Sequence, residues 1–369
     1  MTSDTRARLA RIGIRAWDLL LSRPLRIGGL ELERRAGLLV IVDDGEGHAG
    51  IGETAPLPGL HTESFEEATA QLFELAGALE GAIIPEGCPA LIGACETWLG
   101  DRGLYPSVRT GFEGAVLTLL ADRAGTDLPH LLATSPNARV RINALLDGDA
   151  AVVLDSAARL AQSGYTALKI KVGRRDADGE AQLVRSVRAL VGPAVTLRLD
   201  ANRAWGLKAA LEFAERVAPA AIEYLEEPLH EAGDLAAFVA NSPVPVALDE
   251  TLLDFSPQAP PPLRGVAALI LKTSVLGGFE RAMAWARLAR RERLSAVVSA
   301  AFPSAVGLAL DIACAAALGD ETVHGLGTSC AFAEDFWRAP LRIDSGRIAA
   351  RRLPFRPADF NLENTRVLR

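Results

Sequence analysis

Cysteine is scarce in this chain, and its few copies are badly spaced for the structural roles that cysteine usually plays. The four residues form no Cys-x-x-Cys pair, and their spacing matches neither a zinc site nor a disulfide framework; they are Cys88, Cys95, Cys314 and Cys330. The sequence therefore predicts a reduced, cytoplasmic protein. Histidine is also rare, with five copies in 369 residues, which disfavours a hydrolase or aldolase barrel whose metal is held by histidine.

Long apolar runs are missing as well. No stretch reaches the roughly 18 uninterrupted apolar residues that suggest a membrane-spanning helix, and no apolar run with a small-residue cleavage site follows the N-terminal arginines, so no signal peptide is expected. A surplus of positive charge is absent too, since the formal net charge is -7, whereas nucleic-acid-binding proteins present a basic face. We expect neither nucleic acid nor a membrane as a partner, and the oligomeric state stays open.

The first part of the chain contains strand-like segments followed by helical ones. Residues 11–21 and 30–43 are rich in leucine and β-branched side chains and are separated by turn-forming glycines, which predicts two strands. A helix is predicted to begin at Thr62 or Ser64 as its N-cap, and a second helix to cover 107–123.

From Val140 onward short apolar strands alternate with helical stretches of about a dozen residues. Eight strands are predicted, at 141–145, 167–172, 196–200, 221–226, 244–249, 267–272, 296–299 and 322–325. This repeat predicts an α/β fold, a (β/α)8-type barrel over 126–334 that follows an α+β domain over 1–125. An open, doubly wound sheet alternates in the same way, but no dinucleotide-binding glycine fingerprint follows any strand, which favours the barrel.

Polar side chains end nearly every predicted strand from the second to the seventh. Because successive side chains on a strand alternate faces, Lys169 and Lys171 share one face, and so do Arg198 and Asp200. Barrel enzymes build their sites at these C-terminal strand ends, where ionisable groups must be paired, metal-bound or functional. The next strand ends carry Glu226, Asp249, Lys272 and Ser299.

Carboxylates on three consecutive strands suit a hard divalent cation, with Mg²⁺ expected and Mn²⁺ as an alternative. Each residue alone has an ordinary explanation: an Asp that ends a strand usually caps the next helix, and a lone strand lysine is usually solvated. Of two adjacent acids such as Glu226 and Glu227, one is usually exposed. The ordered set of six is what predicts a site, with acids Asp200, Glu226 and Asp249 and lysines Lys169, Lys171 and Lys272.

These charges indicate one reaction class, the removal of a proton from a carbon next to a carboxylate. Deprotonation there puts two negative charges on one enediolate, which a divalent metal and a nearby ammonium stabilise. The base must be neutral before it acts, and a lysine beside a cation and a second ammonium is expected to have its pKa lowered. One lysine on each side of the substrate plane then allows one to take the proton while the other stabilises the intermediate.

The ordered motifs resemble those of the enolase superfamily, in its muconate-lactonizing subgroup. The resemblance implies an enolase-like modified TIM barrel, with 1–125 as a capping domain whose segment 50–59 closes over the barrel mouth. By analogy it also implies that the tail, 335–369, packs back on the capping domain. The matching segments are Lys-Ile-Lys (169–171), Leu-Arg-Leu-Asp-Ala-Asn-Arg-Ala-Trp (197–205), Tyr-Leu-Glu-Glu-Pro (224–228), Ala-Leu-Asp-Glu-Thr (247–251) and Leu-Lys-Thr-Ser-Val-Leu-Gly-Gly (271–278).

Within the superfamily the chain is most similar to the o-succinylbenzoate synthases, in segments 55–59, 200–205, 297–302 and 324–328. That family dehydrates a small carboxylate, 2-succinyl-6-hydroxy-2,4-cyclohexadiene-1-carboxylate, to 2-succinylbenzoate in menaquinone biosynthesis. The resemblance implies roles for three lysines: Lys171 as base and then acid, Lys272 as a cation on the opposite face, and Lys169 as a charge near the carboxylate. It also implies substrate-binding or orienting roles for Ser299, Arg198, Asn202 and Glu250.

Other functions remain open or are disfavoured on specific residues. N-succinylamino acid racemisation and muconate cycloisomerisation use the same lysines and metal and stay open. A mandelate-racemase-type site needs a histidine base on a late strand, and it is disfavoured because Lys272 ends the sixth predicted strand. Dipeptide epimerases are disfavoured because they need an Asp-x-Asp near the eighth strand, which 324–331 lacks. The intact Lys171 and carboxylates disfavour a silent binding protein. Pro303 stands where related sequences often have an acid, so the details of the seventh barrel loop are not predicted.

Overall fold

An antiparallel sheet covered by helices forms the N-terminal domain in this computed structural model, which describes residues 7–27, 29–100, 102–351, 353 and 355–369. In the sheet the first strand pairs with the second and the second with the third. The elements are β1 (Arg11–Ile27), β2 (Leu30–Asp43), β3 (Ala49–Thr54), α1 (Phe65–Leu79), α2 (Ala94–Leu99), α3 (Pro106–Arg123) and α4 (Leu128–Leu132).

Helix α1 begins where the sequence predicts. Its N-cap is Ser64, whose hydroxyl accepts the amide of Glu67 at 3.1 Å, while the Glu67 carboxylate accepts the amide of Ser64 at 2.8 Å. Strand β1 is longer than predicted, since it continues to Ile27 through a register shift between Leu20 and Leu25. This outer part of the hairpin is largely exposed, so it lacks the alternating apolar pattern by which strands are recognised.

Strand β3 packs unusually close to α3. An added Cβ at Gly50 would collide with the carbonyl oxygen of Ala115, and one at Gly52 with that of Gly111. Such close backbone approach requires glycine. The packing fixes the strand that carries Glu53, which directly follows Gly52.

Parallel strands and helices alternate through the rest of the chain. From the fifth strand to the eleventh, each strand pairs with its neighbour in sequence, whereas a doubly wound sheet would reverse its order part-way. The elements are β4 (Arg139–Ile142), β5 (Ala144–Leu146), α5 (Ala150–Gln162), β6 (Ala167–Lys171), α6 (Ala177–Val191), β7 (Thr196–Asp200), α7 (Leu207–Val217), β8 (Ile222–Glu226), α8 (Leu235–Asn241), β9 (Val246–Leu248), β10 (Val266–Leu271), α9 (Thr273–Leu276), α10 (Phe279–Glu292), β11 (Ser295–Val298), α11 (Ala305–Leu318) and β12 (Val323–His324).

The ring of strands closes through β12. This strand pairs in parallel with β4, and the amide of Gly325 donates to the carbonyl of Val298 at 2.8 Å. The first predicted strand is broken at Asn143, where the amide donates to the His324 carbonyl at 2.9 Å, while β5 turns to pair with β6. The predicted fold class, a (β/α)8-type barrel with an N-terminal α+β domain, is confirmed.

The C-terminal segment contacts both domains. Strands β13 (Ile343–Asp344) and β14 (Arg347–Ala349) form a hairpin that pairs with β4 of the barrel, whereas β15 (Arg366–Val367) pairs with β1. Trp17 of β1 makes edge contacts with Phe332 and Phe336, at centroid distances of 6.2 and 6.1 Å. Among the described residues, no helix has the length and apolar character needed to cross a membrane.

Candidate active site

Neighbouring barrel strands bring five of the predicted groups to one end of the sheet. In the register of β6, β7 and β8, Lys171 pairs with Asp200, and Asp200 pairs with Glu226. Paired residues in parallel strands share a face, so these three side chains point to the same side. Asp249 directly follows β9, and Lys272 directly follows β10. All five lie at the C-terminal mouth of the barrel, as the sequence predicts.

The two lysines of β6 contact the carboxylates of the next two strands. Lys169 Nζ lies 2.8 Å from Asp200 Oδ2 and 2.7 Å from Glu226 Oε1. Lys171 Nζ lies 2.6 Å from the same Asp200 oxygen and 2.7 Å from Asn202 Oδ1. Although burial favours the neutral amine, Asp200 and Glu226 raise the pKa of Lys169 well above its ordinary value.

Lys272 lies on the other side of the carboxylates and faces an excess of negative charge. It forms an ion pair with Asp249 and lies 3.6 Å from Glu250 Oε1. Burial and Glu250 raise the pKa of Asp249, and burial and Asp200 raise that of Glu226. The pKa of Lys272 is also raised, because its acidic neighbours outweigh the effect of burial. Carboxylates thus face both Lys169 and Lys272, while the lowered pKa predicted for a base beside a bound cation stays a prediction.

The carboxylate set has the chemistry of a divalent-cation site. Asp200 and Glu226 are 1% exposed and Asp249 is 5% exposed, and Glu226 Oε2 is buried without a hydrogen-bond partner. Within the described ranges, no group of three or more His, Cys, Asp or Glu side chains is close enough to hold a metal as arranged, because lysine ammonium groups lie between the acids. The unpaired oxygen of Glu226 and the three buried carboxylates nevertheless fit Mg²⁺, which takes oxygen ligands.

Glu227 overturns the expectation that one acid of the Glu-Glu pair is exposed. Its backbone adopts a left-handed φ of 41°, and the side chain is 2% exposed. The carboxylate accepts the amides of Asp249 at 2.7 Å and Thr251 at 2.9 Å, and also the Thr251 hydroxyl at 2.9 Å. Glu227 thus fixes the turn that carries Asp249. The sequence shows two adjacent acids before a proline, a pattern that does not reveal the φ that buries the second.

Asn202, predicted in an orienting or substrate-binding role, contacts the amine of Lys171. Its φ of 45° lies in the left-handed region, which asparagine tolerates better than most residues. In that conformation its amide donates to Asp200 Oδ1 at 3.1 Å while its side-chain oxygen accepts from Lys171. Asn202 therefore orients two members of the cluster.

Arg198 lies deeper in the barrel than the carboxylates. Its guanidinium donates to Glu223 Oε2 at 2.5 Å and to the Val323 carbonyl at 2.7 Å, and it stacks over the Tyr224 ring at 5.0 Å. A register shift between β7 and β8 places Glu223 where it can reach this arginine. These contacts and its 2% exposure indicate that Arg198 supports the barrel interior, and its contact with substrate stays a prediction.

Ser299 and His324 end the last two strands. Ser299 directly follows β11 beside Lys272, since its amide donates to the Leu271 carbonyl at 3.0 Å. His324 is 1% exposed, its Nδ1 accepts the amide of Val298, and burial lowers its pKa to about 4. A neutral histidine with this internal bond is part of the barrel wall, which agrees with the prediction that the base is not a late-strand histidine.

Two family models match the two parts of this fold. One, described as enolase C-terminal domain-like, matches residues 152–354, and the other, described as the MenC N-terminal domain, matches residues 13–82. The chain belongs to the enolase superfamily. The predicted membership, inferred from the ordered lysine and carboxylate motifs, is thereby confirmed.

Two relatives within the superfamily differ greatly in length. The chain is 35% identical over 349 residues to the chloroplastic protein PHYLLO of Arabidopsis thaliana, and it spans only 20% of that protein. It is 33% identical over 322 residues to the o-succinylbenzoate synthase of Citrobacter koseri, covering 85% of this chain and 88% of that one.

Solved structures of superfamily members share the fold. The muconate lactonizing enzyme of Pseudomonas fluorescens, complexed with muconolactone, superposes with a TM-score of 0.83 at 18% identity, over 95% of each chain. MenC of Desulfotalea psychrophila superposes with a TM-score of 0.75 at 26% identity, over 92% of this chain and 99% of that one. At 18% identity the first likeness concerns the fold alone.

Proposed function

We propose that this chain is an o-succinylbenzoate synthase, which dehydrates 2-succinyl-6-hydroxy-2,4-cyclohexadiene-1-carboxylate to 2-succinylbenzoate and water in menaquinone biosynthesis. The observation that carries the proposal is the position of Lys171, 2.6 Å from Asp200 and across a carboxylate cluster from Lys272. The 33% identity to a full-length synthase supports this choice of reaction among those known for the fold.

In this proposal Asp200, Glu226 and Asp249 hold Mg²⁺, or Mn²⁺ in its place. When bound, the ion supplies positive charge that stabilises the enediolate of the substrate carboxylate. Lys272 supplies a second positive charge from the opposite side, since its acidic neighbours keep it protonated. Lys169, paired with two of the acids, holds their orientation and adds to the positive field.

Lys171 is the proposed base and the proposed acid. As a neutral amine it takes the proton from the carbon that bears the carboxylate, and the resulting ammonium is held by Asp200 and Asn202. It then returns that proton to the departing hydroxyl on the same face. One C–H and one C–O bond break, a ring double bond forms, and the products are the aromatic ring and one water. Aromatisation supplies driving force, so the site has little to do beyond forming the anion.

Racemisation of N-succinylamino acids and cycloisomerisation of muconate are the alternative reactions, since both use the same residues. A two-base racemisation needs a neutral Lys272 as well as a neutral Lys171, in turn. Lys272 contacts Asp249 and Glu250, which stabilise its ammonium form, the form that a one-base dehydration uses as a fixed positive charge. Replacing Lys272 by Ala separates racemisation from dehydration. A racemase that lacks this lysine would still exchange the substrate proton, but only at the face of Lys171.

The deciding experiment mixes purified protein and Mg²⁺ with the cyclohexadiene substrate and follows the loss of diene absorbance. The proposal predicts turnover with one 2-succinylbenzoate formed per diene consumed. Parallel reactions with N-succinylamino acids and with muconate test the alternatives. Efficient turnover of either one with no turnover of the diene would overturn the proposal.

A further inference from the structure

Two buried charged side chains of the N-terminal domain contact the barrel loop that follows β11. We call this loop, residues 299–304, the seventh loop, since it joins the seventh strand of the barrel to α11. Arg35 on β2 is 2% exposed and Glu53 on β3 is 5% exposed, and both reach the seventh loop. Charged groups are rarely buried to this degree unless they are paired or have a function.

Arg35 joins the seventh loop to the capping segment 50–59. Its guanidinium donates to the carbonyls of Ala55 at 3.0 Å and Pro56 at 2.8 Å in its own domain. Its third contact, 3.4 Å long, is with the carbonyl of Phe302 in the barrel. Phe302 has a left-handed φ of 53°, a conformation that a bulky residue keeps only where its surroundings hold it. Arg35 is one of the groups that hold it.

Glu53 binds the other end of the loop. Its carboxylate accepts the amide of Ser304 at 3.0 Å and also the hydroxyl of the same residue. Ser304 is the N-cap of α11, and Gly307 in the first turn gives the carboxylate room, because an added Cβ would lie 2.7 Å from Glu53 Oε1. The carboxylate therefore lies at the positive end of this helix.

The seventh loop borders the proposed site. Ser299 and Lys272 occupy equivalent positions on adjacent strands, as the bond from the Ser299 amide to the Leu271 carbonyl requires. A small pocket, partly open to solvent, lies between the capping segment and the loops after β10 and β11. It is lined by Glu53, Ala55, Ser274, Ala301 and Pro303, among others. A shift of the seventh loop would change the space beside Lys272.

We infer that Arg35 and Glu53 are positioning residues that determine specificity, because they hold the seventh loop and so set the space beside Lys272 that the substrate occupies. The inference rests on the proposed function, in which the succinyl chain lies in this space. Arg34, the neighbour of Arg35 on the same strand, gives a matched contrast, since it is half exposed and pairs with Asp18 at the surface.

The first test needs no substrate. Amide hydrogen exchange of the peptide that covers 299–304 is compared in Arg35→Ala, Glu53→Gln and the control Arg34→Ala. We expect exchange about tenfold faster in the first two and unchanged in the control, because the loop opens locally when its contacts are lost. Where Arg35→Ala does not fold, Arg35→Lys and Ser304→Ala remove fewer contacts and are expected to speed exchange by a smaller factor. Unchanged exchange in the folded variants would overturn the inference.

The second test measures discrimination between substrates. The same variants are assayed with the full diene substrate and with an analogue in which acetyl replaces succinyl. We expect KM for the full substrate to rise about tenfold with kcat within about threefold, so that the preference for the longer chain falls. Loss of folded protein alone would lower kcat for both compounds equally and leave the preference intact, which would overturn the specificity role. Wild-type turnover of the diene reports separately on the proposed function.

Discussion

The ammonium nitrogen of Lys171 lies 2.6 Å from Oδ2 of Asp200. The two residues are paired in the register of adjacent strands, so the contact follows from the sheet and does not depend on a mobile loop. In the proposed reaction the same contact holds the lysine after it has taken a proton. A base and a metal ligand on neighbouring rigid strands are preorganised, which limits the reorganisation needed during the reaction.

Removal of divalent metal is expected to abolish turnover and to lower thermal stability. The acids Glu226 and Asp249 are buried with raised pKa values, so a bound cation relieves their desolvation and mutual repulsion. Free Mg²⁺ at about 1,000 times its Kd stabilises a folded protein by about 4 kcal/mol. Melting curves with EDTA and with Mg²⁺ or Mn²⁺ measure this, and Glu226→Gln serves as the variant that should lose the shift. Full activity after complete chelation would refute metal binding by these acids.

Replacing Glu227 by Ala should weaken both the fold and the metal site. The change leaves the buried amides of Asp249 and Thr251 without their acceptor, which costs about 1–3 kcal/mol for each unsatisfied group. Because Glu227 orients Asp249, Mg²⁺ affinity is expected to fall about 10–100-fold. Urea unfolding and Mg²⁺ titration measure the two effects. The control is Glu231→Ala, an exposed acid four residues later, and equal effects in both variants would count against the positioning role.

Much of the fold and the centre of the site are readable from the sequence. Alternation along a strand places Lys169 with Lys171, and ordinary strand lengths place Asp200, Glu226 and Asp249 at strand ends. These features depend on local pattern alone.

Other features depend on contacts between distant segments. Glu227 is buried because of one left-handed backbone angle, which no composition rule predicts for a glutamate. The contacts of Arg35 and Glu53 with the seventh loop span more than 250 residues of sequence. The predicted first strand is broken at Asn143 because its first half, β4, pairs with β12, whereas its second half, β5, pairs with β6. Such features follow from tertiary packing, so the sequence pattern of any one element does not contain them.

Asp44 should make stability depend on acidic pH. Burial alone would raise its pKa, but bonds from the amides of Glu46 and His48, the His48 ring and Arg123 lower it to about 2. Because the folded-state pKa lies below the unfolded-state pKa of about 4, the ionised carboxylate stabilises the protein above about pH 4. This stabilisation is lost as the pH falls toward 2. Asp44→Asn is therefore expected to cost about 2 kcal/mol at pH 7 and much less near pH 2.

Urea unfolding of Asp44→Asn at several pH values measures this dependence. Asp18→Asn is the matched control, because Asp18 is exposed and pairs with a surface arginine. A cost for Asp44→Asn that stays constant from pH 7 to pH 2 would contradict the role assigned to its ionised carboxylate.

Lys171→Ala gives the most direct test of the proposed chemistry. The variant is assayed by the loss of diene absorbance with Mg²⁺ present, beside Lys208→Ala, whose lysine is 92% exposed on α7. Loss of an essential base is expected to lower kcat by about 10²–10⁴-fold or more, with the fold and Mg²⁺ binding retained. The exposed control should keep the wild-type rate. Wild-type turnover by Lys171→Ala would contradict the assignment of the proton transfer to this lysine.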